Sequence, residues 1–176
     1  IKGVASCSFV NNSNVVAFDV AYDNNNLSSL DGVLFNKDKT VLMQYPKGKY
    51  GSDYIIPDTV EEIGEEAFKE CSSLEQVVFL GEKINKIGYS AFEKCFNLKE
   101  CYIPRGLKVL EQRTFKDCIR LKILSIPDSI ERIEKNALYD CFNLDAVEIS
   151  DFRWVAEGPF GPLYIHEFYS THPSFA

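Results

Sequence analysis

The sequence is periodic, and the period limits the fold more than any other feature. Six columns of residues recur at steps of 24, 23 and 23. They are Ile63, Ile87, Leu110 and Ile133; Phe68, Phe92, Phe115 and Leu138; Cys71, Cys95, Cys118 and Cys141; Leu74, Leu98, Leu121 and Leu144; Val77, Cys101, Leu124 and Val147; and Phe79, Ile103, Ile126 and Ile149. A unit this short cannot bury its own apolar face. It gains a core only by stacking on its neighbours, so the chain is expected to wind into a solenoid of about 23-residue coils.

Four segments carry the columns: 56–79, 80–103, 104–126 and 127–149. In the first, L-x-x-V-x-F at Leu74, Val77 and Phe79 resembles the strand of leucine-rich repeats. Its end alternates with period two, which predicts Val77 and Phe79 inward and Val78 outward. Turns follow the strands at Pro104-Arg105-Gly106 and Pro127-Asp128-Ser129. Val60 with Ile63, and Ile84 with Ile87, then pack the far wall as a second short strand. The next stretch, E-E-A-F-K-E at 65–70, favours helix. Each coil is therefore expected to hold a strand, a crossing segment and a short helical turn, making an α+β repeat solenoid. Glu111 and Glu134 stand where other coils have Gly64 and Gly88, so that position does not require positive φ. The second segment has Leu80-Gly81 in place of the proline, and one residue more, which predicts a looser turn.

The chain reads as a single domain of 1–176 in four parts. Residues 1–20 form a degraded N-terminal repeat. There Phe9, Asn12, Val15, Phe18 and Val20 match the spacing of Phe68, Cys71, Leu74, Val77 and Phe79, and Asn12 is suited to hydrogen-bond buried backbone. Residues 21–55 are an insertion in which Val33-Leu34-Phe35 and Val41-Leu42-Met43 flank 36–40 as a β-hairpin. Residues 56–149 are the four regular repeats. Residues 150–176 break the period and carry Trp154, Phe160, Tyr164, Phe168, Tyr169 and Phe175. They are expected to cap the last coil, the alternative being an exposed aromatic site.

The stretch 56–79 matches I-P-x-x-V-x-x-I-G-x-x-A-F-x-x-C-x-x-L-x-x-V-x-F nearly whole. The run from Leu30-Asp31-Gly32-Val33-Leu34-Phe35 through Tyr45-Pro46 looks like the hairpin that interrupts such arrays. These residues resemble the BspA-like, or Treponema pallidum-type, leucine-rich-repeat family. The resemblance runs from about residue 27 to 149, with Thr114 for Ala and Leu138 for Phe as departures. It implies a right-handed leucine-rich-repeat stack with an inserted β-hairpin. It also implies an extracellular or cell-surface bacterial protein, associated with adhesion to host proteins, matrix or other microbes. The family pattern contains no catalytic residues, so none is carried over. The chain starts at Ile1 without a basic-then-apolar leader, so any signal peptide is expected to lie outside this sequence.

Composition excludes some partners. The formal charge is −7 and the pI near 4.9. Nucleic-acid binding needs a basic stripe to displace counterions from phosphates, and the densest basic stretch, 37–49, reads as a solvated hairpin surface. No apolar run approaches the roughly 20 residues of a membrane span. The cysteines do not form the short C-x-x-C pairs that metal sites favour. Four sit one per coil in an inward column and Cys101 in a strand column, so free buried thiols are expected. His166 and His172 have no nucleophile elbow or metal-ligand spacing around them. Glu61-Glu62 and Glu65-Glu66 read as a solvated outer surface rather than paired catalytic carboxylates. No enzyme activity, cofactor or metal is expected.

The outward residues of the strands remain as the candidate contact surface. Gln76, Glu100, Ile123 and Ala146 form one column, and Val78, Tyr102, Ser125 and Glu148 the next. A third runs through Glu75, Lys99, Lys122 and Asp145. Tyr102, Val78 and Ile123 are outward apolar groups suited to anchor a protein or glycan ligand. The leading expectation is a monomeric recognition module acting through this face. The alternative is a spacer or stalk within a longer surface protein.

Overall fold

The computed structural model describes residue 8, residues 12–144 and, as backbone, the strand at 146–149. Its strands are β1 (Leu27–Leu30), β2 (Val33–Asn36), β3 (Val41–Gln44), β4 (Asp53–Ile56), β5 (Glu62–Ile63), β6 (Gln76–Phe79), β7 (Lys86–Ile87), β8 (Glu100–Tyr102), β9 (Val109–Leu110), β10 (Ile123–Ile126), β11 (Arg132–Ile133) and β12 (Ala146–Ile149). The front sheet has the order β12-β10-β8-β6-β4 and is parallel throughout. The back wall is β1-β2-β3-β5-β7, continued by the parallel pair β9 and β11. The chain is thus a β-solenoid, and the four 23-to-24-residue coils at 56–149 lie where the columns put them.

The short helical turn expected in each coil is absent. Among the described residues there is no helix, and the α+β reading is corrected to an all-β one. Glu66, Phe68 and Glu70 donate their amides to the carbonyls of Tyr89, Ala91 and Glu93 in the next coil. Ala67, Lys69 and Cys71 between them donate three residues back, to Gly64, Glu66 and Phe68. A helix would turn its amides, beyond the first four, onto its own carbonyls four residues back. Here alternate amides serve the stack, so the chain zigzags through two left-handed residues per coil. These are Glu66 and Glu70 (φ 55° and 60°), Ser90 and Lys94, Arg113 and Asp117, and Asn136 and Asp140. Stacking outweighs the steric cost of about 1–2 kcal/mol each and the helical preference of E-E-A-F-K-E. Gly64 and Gly88 are not among the positive-φ residues, as the glutamates in their column require.

The turn after the front strand behaves as expected. Val60, Leu107 and Ile130 donate to Pro57, Pro104 and Pro127. The second coil, with Leu80-Gly81 and its extra residue, has no such turn, and Leu80 stands exposed.

Inside the stack the inward columns are buried almost completely. The phenylalanines form a ring stack, with centroids 4.9 Å apart for Phe68–Phe92 and 5.2 Å for Phe92–Phe115, nearly parallel at 10° and 5°. The cysteines are free and buried. The thiols of Cys95, Cys118 and Cys141 donate to the carbonyls of Phe68, Phe92 and Phe115 in the preceding coil, at 3.0, 3.1 and 3.1 Å. A buried donor without a partner is costly, so the column suits a small apolar group with one weak donor. Burial pushes the Cys95, Cys101 and Cys141 thiols up to about 12. The thiolate is the reactive form, so the five buried thiols of the folded protein are expected to resist an aromatic disulfide reagent at mildly alkaline pH. Urea should expose them all. Site-resolved mass spectrometry reads this separately from Cys7, which lies outside the described residues. Rapid labelling of any of the five under native conditions would contradict the burial argument.

Ahead of Ile56 the hairpin takes part in the solenoid. β2 and β3 pair antiparallel, as expected, around a loop in which the Asn36 side chain accepts from the Val41 amide and donates to Thr40. β3 also pairs in parallel with β5. Tyr45 stacks on Phe68 at 5.2 Å and heads the ring column. The chain then returns as β4, in register with β6. Residues 41–56 therefore close one more turn of the stack. Its Cys and Leu places are taken by Gly48 and Gly51, the latter at φ 108°. Residues 12–20 form no strand, and Asn12 is exposed rather than in the buried place the thiols hold. Val15, Phe18 and Val20 are half-buried, and Phe18 donates to Gly32, whose φ is 78°. A Cβ on Gly32 would come within 2.9 Å of Ala17, so glycine is required for this contact. Phe9, the aromatic stretch 150–176, Trp154, His166 and His172 lie outside the described residues.

Candidate partner-binding face

The front strands alternate as the period-two pattern requires. Tyr54, Val77, Cys101 and Leu124 point into the core, and their neighbours point out. Parallel pairing sets Asp53 beside Gln76 and Gln76 beside Glu100, then Glu100 beside Ile123. In the next column Ile55 sits beside Val78, and Tyr102 beside Ser125. The ladder holds these side chains about 4.8 Å apart from strand to strand.

Of the eight candidate residues, six have described side chains and all six stand on this face. Gln76 is exposed, Val78 is 37% exposed and Tyr102 52% exposed, while Glu100, Ile123 and Ser125 are half-buried. Ala146 and Glu148 belong to β12, in register with Ile123 and Ser125; only their backbone is described. The Tyr102 hydroxyl donates to Glu100 Oε2 at 3.3 Å, which ties the two columns together. Lys99, from the third column, is held by Glu75 at 2.6 Å.

Sequence reasoning missed two members, Asp53 and Ile55, because β4 was counted with the insertion. Ile55 is 54% exposed and extends the apolar column to Ile55, Val78 and Tyr102. The signal was present: Tyr45, Tyr54 and Ile56 keep the spacing of Phe68, Val77 and Phe79. A second exposed apolar column was also missed. Phe96, Ile119 and Phe142 each follow the cysteine of their coil and stand exposed on the edge before the front strands.

Several of the charges elsewhere are matched from coil to coil. Lys47 meets Glu70 at 2.6 Å and Glu70 meets Lys94 at 3.6 Å. Lys69, Glu93 and Lys116 form a parallel ladder at 3.5 and 3.9 Å. On the back wall Lys86 pairs with Glu62 and Lys108 with Glu131, so Glu62 serves the stack. The Lys47 hydrogen bond holds Glu70 below the usual carboxylate range. Among the described residues no group of three or more His, Cys, Asp or Glu side chains is placed to hold a metal ion.

This architecture recurs in solved bacterial proteins. The pneumococcal vaccine antigen PcpA is 32% identical, with a TM-score of 0.74 over 77% of this chain and 33% of its own. A leucine-rich repeat protein from Eubacterium ventriosum ATCC 27560 is 22% identical, with a TM-score of 0.69 over 85% of this chain and 46% of its own. A leucine-rich cell surface protein from Faecalibacterium prausnitzii A2-165 is 24% identical, with a TM-score of 0.52 over 74% and 41%. The chain spans less than half the length of each of these neighbours. No curated protein matches. The BspA type leucine-rich-repeat region matches residues 47–157 in six copies. That span begins at the turn before β4, runs through every front strand and takes in the thiol column and the stacked phenylalanines, so the chain belongs to the BspA-type leucine-rich-repeat family.

Proposed function

We propose that the chain is a non-catalytic recognition module of an extracellular or cell-surface bacterial protein, acting as a monomer and binding a protein or glycan through the front strand face. The observation that carries this reading is the column Ile55, Val78 and Tyr102, exposed on a parallel sheet whose opposite side is fully packed. Apolar and aromatic groups held this rigidly lose little entropy when a partner covers them. The likeness to a pneumococcal antigen supports an exposed location. Among the described residues no helix is long and apolar enough to cross a membrane. A spacer is the second reading, favoured by the fraction of its neighbours' length that the chain spans.

The test is a screen of labelled protein against immobilised host extracellular proteins and a glycan array at physiological salt. Tyr102→Ala and Ile55→Asp, each confirmed folded by circular dichroism, are expected to weaken a saturable hit by about thirtyfold or more, the loss of a hot-spot contact. Ile123→Asp should act in the same direction. A hit untouched by all three places the site elsewhere, first on the Phe96, Ile119 and Phe142 column. No hit favours the spacer.

A further inference from the structure

We infer that the front face is built for a cationic polypeptide segment, one that sets apolar side chains beside Lys or Arg, rather than for a glycan. This rests on the front face being the contact surface. The outward positions of β4, β6, β8 and β10 are Asp53, Ile55, Gln76, Val78, Glu100, Tyr102, Ile123 and Ser125. Two are carboxylates and none is basic. At several places elsewhere on the array, acids and bases alternate from coil to coil and pair with one another: Lys47, Glu70 and Lys94; Lys69, Glu93 and Lys116; Glu62 with Lys86; Glu75 with Lys99; Lys108 with Glu131. The outward positions of the front strands offer their carboxylates no such base, and this is where the face is most apolar. Asp53 is exposed two residues from Ile55 on β4, and Glu100 stands two residues from Tyr102 on β8.

The neighbouring bases sharpen the placement. Lys99 precedes β8 but is held by Glu75. Lys122 precedes β10. The acidic end of the face is therefore β4 to β8, and a partner's cations belong there, one at Asp53 and one at Glu100, with its apolar side chains on Ile55, Val78 and Tyr102. A charged surface recruits and orients a partner of opposite sign. Ile55 and Val78 are aliphatic and offer a sugar ring no face to stack on, and charged glycans are chiefly anionic. Both features disfavour a glycan here. The chain's net charge of −7 acts in the same sense.

The test uses three short fluorescein-labelled peptides of alternating sequence: valine–lysine, valine–glutamate and serine–lysine. Fluorescence anisotropy is read at low and at raised salt. The valine–lysine peptide is expected to bind saturably, more weakly as salt rises. Tyr102→Ala should weaken it. The double variant Asp53→Asn with Glu100→Gln, which keeps the Tyr102 hydrogen-bond acceptor, should weaken it about five- to thirtyfold, as expected for two partly exposed charge contacts. The valine–glutamate and serine–lysine peptides should bind far less. Equal binding of the glutamate peptide, or affinity unchanged in the double variant, overturns the inference. If the peptides fail while the extracellular-protein screen still gives a Tyr102-dependent hit, only the cationic assignment falls. If neither assay depends on Tyr102, the front-face reading falls with it.

Discussion

Phe92→Ala is expected to lower the unfolding free energy by about 3–5 kcal/mol, the range for a fully buried phenylalanine. Phe92 lies between Phe68 at 4.9 Å and Phe115 at 5.2 Å, with the three rings nearly parallel. Its backbone is tied to the following coil and to its own turn. Its amide donates to Thr114, and its carbonyl accepts from the Cys95 amide and the Cys118 thiol. The neighbouring coils cannot close the gap, because each is locked to the next by the alternate amides of the turn edge. The cavity is therefore expected to persist. Against a typical domain stability of about 5–15 kcal/mol, the loss is about a fifth or more, and the coils on either side would be partly uncoupled. Phe92→Leu is the control. The fourth coil already carries Leu138 in this column, buried, so leucine should cost only about 1 kcal/mol. Urea melts of the two variants measure the difference. If Phe92→Ala lies within about 1 kcal/mol of the parent, the ring stack is not what couples the coils.

Glu93→Gln is expected to cost about 2 kcal/mol, well above an ordinary surface ion pair. The Glu93 side chain is only 6% exposed. Lys69 stands 3.5 Å away on one side and Lys116 3.9 Å on the other. These separations are longer than a good hydrogen bond, so charge carries the attraction. Removing one member of a buried pair leaves uncompensated charge and typically costs about 3–5 kcal/mol. Both lysines are about a fifth exposed and keep second partners, Glu66 for Lys69 and Asp117 for Lys116, which lowers the figure. Glu62→Gln is the comparison. Its pair with Lys86 is half exposed on the lysine side, and under about 1 kcal/mol is expected. Burial lowers the Lys69 value, but the hydrogen bond to Glu66 and the charges of Glu66 and Glu93 outweigh it and leave it above the ordinary 10.5. A cation raised by folding contributes stability fully below its unfolded value, and that contribution is lost as pH rises through the folded value. On the alkaline side the Glu93→Gln cost should therefore be complete at neutral pH and shrink only when the solution is strongly alkaline; acid that protonates the carboxyl removes it as well. Equal costs for Glu93→Gln and Glu62→Gln in urea would show that burial adds nothing to the ladder.

Much of this was legible without coordinates. The six columns placed the front strands, and period-two alternation turned Val78, Tyr102 and Gln76 outward and Val77, Cys101 and Leu124 inward. The hairpin at Val33 and Val41, the looser turn at Leu80-Gly81 and the free buried thiols were equally readable, because each follows from a local pattern and the burial it demands. The helical turn at 65–70 was the principal error. E-E-A-F-K-E prefers helix by itself, but its amides are claimed by carbonyls one coil away, and no local propensity records that. The turn formed by β3 and β4 was hidden by Gly48 and Gly51, which erase the apolar columns while leaving the backbone ladder intact. That omission removed Asp53 and Ile55 from the candidate face. The alternating ladders of Lys47, Glu70 and Lys94 and of Lys69, Glu93 and Lys116 became visible only once residues about 23 apart were stacked. What the sequence determined by itself is the period and the sidedness of each strand, since both are set by steric alternation along the chain. What the tertiary structure decided is which donors, rings and charges meet across coils, because those contacts exist only when one coil lies on another.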